Sequence, residues 1–150
     1  MAKFIYRMQN ILNIKYKLED QAKTEFMLAN QILRQEEEKL QTLKERKVGY
    51  EEAVRQLLRK HLEVDRIKEN QEAVIRMQEF IIVQETCVEE ARKQVELKAA
   101  RLTELMQERK AQEKLKEKAF ENFLQEENAK ESKEIDELVS FTYGRKQREE

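Results

Sequence analysis

The chain has 150 residues, 41% charged and 39% hydrophobic, with two Gly and neither Pro nor Trp. Ordinary soluble domains carry roughly 25% charged residues and about 5% Pro, so this composition argues against sandwiches, barrels and alternating strand-helix folds, which need many tight turns. Lys and Arg (30) nearly balance Asp and Glu (31), a formal net charge of −1 that gives no bulk attraction to nucleic acid.

Regularly spaced Leu, Ile, Val, Met and Phe distinguish the chain from a disordered polyelectrolyte, and the pattern predicts an all-α fold, a long antiparallel two-helix coiled-coil hairpin. Helix 1 is expected over about 4–60, with an apolar stripe of Phe4, Met8, Ile11, Leu18 and Ala22, then Phe26, Ala29, Leu33, Leu40 and Leu43. The successive four-residue steps Leu18, Ala22, Phe26 read as a stutter, which locally unwinds a left-handed supercoil. The first 18 residues hold Lys3, Arg7, Lys15 and Lys17 and no acid, and more apolar surface than one partner helix covers: Phe4, Ile5, Tyr6, Met8, Ile11, Leu12, Ile14 and Tyr16. That surface suits a wider core, a docking site or an anionic membrane surface.

Periodicity is lost around Lys60-His61-Leu62-Glu63-Val64-Asp65, which places the reversal at about 60–66 in preference to Gly49. Helix 2, expected over about 66–143, carries the clearest signal. Ile67, Val74, Ile81, Val88, Val95 and Leu102 recur every seven residues, with Met77, Ala91 and Leu105 three residues after members of that series. This is the a/d seam of a coiled coil, thinned by Asn70, Gln84 and Lys98 in the remaining slots. Pairing about residue 63 sets Leu43 opposite Val83 and Leu18 near Glu108. Helix 2 then outruns helix 1 beyond about Phe123, with Leu124, Ile135, Leu138, Val139 and Phe141 in an acidic stretch. Gly144, followed by Arg145 and Lys146, reads as the end of the helix before a short tail over 144–150, all within one coiled-coil domain.

The residues offer little catalytic chemistry, because a two-helix rod has almost no concavity in which reactive groups converge. His61 with Asp65 supplies two potential metal ligands where a structural zinc wants four. Cys87 stands alone beside the seam, which fits a reducing compartment. The two glycines are far apart and form no phosphate-binding loop, so neither ATP nor another cofactor or small-molecule substrate is expected. The longest apolar run, Phe80-Ile81-Ile82-Val83, is far below a spanning length of about 20 residues, and the N-terminal sequence does not resemble a cleavable signal.

The opening Phe4-x-Tyr6-Arg7-Met8-Gln9-Asn10-Ile11-Leu12, with Glu19 and Ala22 after it, resembles the start of the flagellar export protein FliJ family. Glu113-Lys114-Leu115-Lys116-Glu117-Lys118, then Phe123, Glu126, Glu127 and Glu131-x-Lys133-x-x-Asp136-Glu137, is similar to that family's C-terminal helix. The resemblance implies an antiparallel two-helix coiled coil like the gamma stalk of rotary ATP synthases. It further implies a non-enzymatic cytoplasmic component, peripheral to the inner membrane at the flagellar base. Its partners would be the hexameric export ATPase, the cytoplasmic domain of the export gate, and export chaperones. Gate-contact positions of the family match Leu43, Tyr50 and Phe80, with Gln84 and Cys87 aligned but different in type and Arg46 where a tyrosine is expected. The open end, Phe4, Met8, Ile11, Phe123, Ile135 and Leu138, is the expected ATPase contact. The competing readings are a generic coiled-coil scaffold, the equivalent stalk of a virulence-type secretion system, and a membrane-surface helix protein.

Overall fold

A computed structural model describes residues 2–60 and 63–149. Two helices account for almost all of them, α1 over Gln9–Lys60 and α2 over Val64–Glu149, and they pack against each other as an antiparallel hairpin without strands. His61 and Leu62, and with them the interior of the reversal and the possible metal ligand, lie outside the described residues.

Three ends differ from the sequence reading. α1 begins at Gln9 instead of near 4: residues 2–6 are not helical, and a turn bond from Gln9 N–H to the Tyr6 carbonyl (3.2 Å) precedes the first helical bond, Leu12 N–H to Met8 (3.1 Å). No Ser, Thr, Asp or Asn stands before Phe4 to cap an earlier start, and the Phe4 ring is used in packing instead. α2 opens at Val64, where Ile67 N–H bonds the Glu63 carbonyl (3.1 Å) and Asp65 complements the positive end of the helix dipole. The expected exit at Gly144 does not occur. That glycine has no positive φ, no proline follows it, and Lys146 and Arg148 favour continuation to the negative end of the helix at Glu149.

The packed residues form two units, Met1–Glu19 with Leu105–Glu150, and Asp20–Glu104. Within the second, α1 and α2 meet through small and branched seam residues. Ala22, Ala29, Ala73, Ile81, Val88 and Ala91 are buried, and Leu33, Leu40, Leu43, Ile67, Val74, Met77 and Val95 are half-buried. Every member of the seven-residue series on α2 is thus buried or half-buried, as the a/d pattern requires. Ion pairs flank this seam, Lys98 to Glu25 (3.1 Å) and Arg92 to Glu37 (3.9 Å).

In the first unit Leu12 and Leu105 are the buried apolar residues, at 1% and 3% exposure, and Glu19 is buried with them at 4%. This revises the stripe at the start of helix 1. Ile11 is 40% exposed while Leu12 takes the inward position, and Glu19 lies deeper than its neighbour Leu18. With Lys15 half-buried, the inward series runs Leu12, Lys15, Glu19, Ala22, Phe26, Ala29, in alternating steps of three and four. No stutter is present. The four-four step arises only when charged residues are barred from the seam.

Candidate partner-binding surfaces

In the unit of Asp20–Glu104, Gln84 takes a seam slot where two apolar side chains would otherwise meet. Its amide donates to the Glu36 backbone carbonyl (2.9 Å) and also to the Glu36 carboxylate. Donation from Gln84 holds the Glu36 carboxyl below its ordinary value, and nearby Lys39 acts in the same sense. Leu43 and Gln84 line one shallow groove together with Gln35, Glu38, Lys39, Thr42 and Arg46. Of the expected gate-contact positions, Leu43 therefore shares a surface with Gln84, and with Arg46 where a tyrosine is expected. Tyr50 is half-buried and Phe80 is 53% exposed, and neither lines that groove. Leu43 shares its groove with Gln84, while Val83 faces solvent at 64% exposure.

The other unit holds the expected open end. Phe4 packs edge-on against Phe120 (centroids 5.2 Å apart, 70° between planes) and tilted against Phe123 (5.4 Å), a geometry that favours aromatic pairs beyond their buried area. Phe4 and Phe123 are thus brought together and half-buried, whereas Met8 and Ile11 remain about 40% exposed on the surface of the same unit. Ile135 and Leu138 lie farther along α2, where the helix runs without a packing partner among the described residues. Leu124, Ile135, Leu138, Val139, Phe141 and Tyr143 are all exposed there.

Between the aromatic cluster and Leu105 lies a polar network that the sequence reading missed. The Arg109 guanidinium donates to the buried Glu19 carboxylate and to both oxygens of Glu113 (3.2 and 3.1 Å), and Tyr16 Oη donates to Glu113 at 2.6 Å. Lys15 pairs with Glu108 at 2.8 Å. The Tyr16 hydrogen bond, followed by those from Arg109, holds the Glu113 carboxyl below its ordinary value, and the same bond holds the Tyr16 hydroxyl above its own. Donation to Glu19 and then to Glu113 holds the Arg109 guanidinium above its ordinary value. The missed signal is the heptad carried past Leu105: Arg109, Gln112, Lys116, Ala119 and Phe123 continue its three-four spacing and are all half-buried.

Among the described residues no group of three or more His, Cys, Asp or Glu is placed to hold a metal, and no helix is long and apolar enough to cross a membrane. What the geometry offers is helix-face recognition: a polar-rimmed groove in one unit, and an aromatic cluster followed by an unpaired helix in the other.

The family model for the flagellar FliJ protein matches residues 4–148. The chain belongs to the FliJ family. No curated protein matches the sequence. Among solved structures, this FliJ-family chain is similar to one described as a YscO homolog, CT670, from Chlamydia trachomatis. The identity is 21% and the TM-score 0.77, over 99% of this chain and 100% of the other. At that identity the likeness is one of fold.

Proposed function

We propose that this FliJ-family member is a non-enzymatic stalk and adaptor of the flagellar type III export apparatus. It couples the hexameric export ATPase to the cytoplasmic domain of the export gate and escorts substrate chaperones at the cytoplasmic face of the inner membrane. The observation that carries this reading is the family match over residues 4–148.

The geometry is consistent with such a role in two respects. A site that enters or caps a ring of ATPase subunits needs a narrow element with exposed apolar side chains, and the unpaired part of α2 with Ile135 and Leu138, in the same unit as Phe4, Met8, Ile11 and Phe123, is one. A gate contact needs side chains of both helices reachable on one unit, and the groove shared by half-buried Leu43 and Gln84, accompanied by half-buried Tyr50 and exposed Phe80, supplies them.

Capture of the cognate ATPase by a chain lacking residues 124–150 tests the first contact. The expected result is loss of capture with retention of gate binding, and undiminished ATPase binding would remove the assignment. Leu43→Asp should do the reverse. Deletion of the gene should abolish swimming and filament-protein secretion, and normal swimming would end the flagellar reading.

A further inference from the structure

The unpaired part of α2 has an internal symmetry. Ile135, Leu138 and Val139 are 60%, 65% and 62% exposed, and Thr142 is exposed beside them, its hydroxyl turned back onto the Leu138 carbonyl (2.8 Å). At about 100° per residue these four occupy one stripe roughly 100° wide, and Glu131 and Lys146 extend the same stripe at its two ends. Reversing the helix about the Leu138-Val139 bond maps Glu131 onto Lys146, Ile135 onto Thr142 and Leu138 onto Val139. The spacing of the stripe is its own mirror image, and the charges at its ends are opposite.

We infer that this stripe is the docking site for the same stripe of a second copy, paired antiparallel. In that pairing the Leu138 and Val139 side chains of the two copies meet at the centre, and Glu131 of each copy stands opposite Lys146 of the other, giving one ion pair at each end. A parallel pair would set Glu131 on Glu131 and Lys146 on Lys146, and like charges across a helix seam oppose association. The flanking charge selects the same orientation. Glu126, Glu127, Glu131, Glu134, Asp136 and Glu137 precede the stripe centre with only Lys130 and Lys133 among them, while Arg145, Lys146 and Arg148 follow it ahead of Glu149 and Glu150. Antiparallel pairing lays each acidic block along a basic one. The chain's own α1 does not cover the stripe, because its contacts in this unit are made upstream, Phe4 to Phe123 and Lys15 to Glu108.

A seam this short gives weak association, with a dissociation constant on the order of 100 µM. The pairing is a property of the chain alone and does not depend on the export reading. Sedimentation equilibrium of the full-length chain under reducing conditions and low salt, from about 10 µM to 1 mM, tests it. The wild type should form dimers, and Glu131→Lys or Lys146→Glu alone should weaken them by about tenfold, since each replaces two attractions with two repulsions. An equimolar mixture of the two variants should recover wild-type association, because each copy then meets opposite charge at both ends. The inference is overturned by a wild type that stays monomeric to 1 mM, which leaves the stripe to a different protein. It is equally overturned if neither substitution shifts the equilibrium, or if the mixture is as weak as the single variants. ATPase capture by the same samples reads the proposed function separately.

Discussion

Leu12 and Ile11 are adjacent apolar residues with opposite fates, 1% and 40% exposed, and the difference sets what each contributes. Leu12→Ala should destabilise the chain by about 2–5 kcal/mol, combining lost transfer energy with a cavity that a two-helix seam closes only in part. Ile11→Ala should cost less than about 1 kcal/mol, because water already reaches much of that side chain. Thermal melts of the two variants measure the contrast. Equal losses would mean that the stripe runs through Ile11 after all. Nearby, the Tyr16–Glu113 bond makes stability depend on pH at both extremes. The Glu113 carboxyl lies below its ordinary value of 4.5 in the fold, so the stability it contributes is present above pH 4.5 and is lost as pH falls through the depressed value. The Tyr16 hydroxyl lies above its ordinary value of 10.0, so its contribution is present below pH 10.0 and is lost as pH rises through the raised value. Tyr16→Phe should therefore lower the melting temperature at pH 7, and the gap from wild type should close at acid and alkaline extremes. Part of the acid loss should persist in the variant, because Glu36 is depressed independently by Gln84. A gap that stays constant with pH would sever the link.

At the level of the helices, Gly49 sits inside α1 with ordinary helical backbone, and a methyl group added there would meet nothing within 4 Å. The glycine serves no turn, so Gly49→Ala should stabilise the chain by about 0.5–1 kcal/mol through reduced freedom of the unfolded state, visible as a higher melting temperature. A lower one would reveal a need for backbone freedom that the helix does not show. The α2 seam was legible in the sequence for a physical reason: Ile67 through Leu102 are apolar at every seventh position, and helix periodicity then specifies the buried face. Helix 1 was misread between Leu12 and Ala22 because its inward slots hold Lys15 and Glu19. A hydrophobicity pattern detects a buried charge only through its partner, and Arg109 is ninety residues away in sequence. The same limit hid the network from site prediction. Such a pair is a weak source of stability but disfavours slipped registers, in which Glu19 would be buried without its guanidinium. The groove was half legible: Leu43 stood out as a stripe member and Gln84 as a polar break in the α2 seam, whereas the bond from Gln84 to Glu36 depends on side-chain geometry that periodicity does not carry.

Across the whole chain, side-chain burial and helical backbone part company. From Gln9 to Phe123 the helical residues contribute a buried or half-buried side chain every three or four positions, apart from the reversal. From Leu124 to Arg148 only Glu127 and Gly144 are even half-buried, although α2 continues without interruption. An isolated helix in water is marginal, and most helical stability in proteins comes from packing an amphipathic face. Amides beyond Leu124 should accordingly exchange with solvent orders of magnitude faster than those around Ile81, Val88 and Ala91, whose opening requires the seam to separate. Hydrogen exchange read by mass spectrometry on peptides from 126–149 and 80–92 measures the difference in one sample. Raising the protein concentration should slow exchange around Ile135 to Thr142 while leaving the seam peptides unchanged, because only the unpaired stripe gains a partner from a second copy. Slowing throughout the chain would locate self-association elsewhere, and no slowing up to millimolar concentration would leave α2 a helix that awaits a different protein.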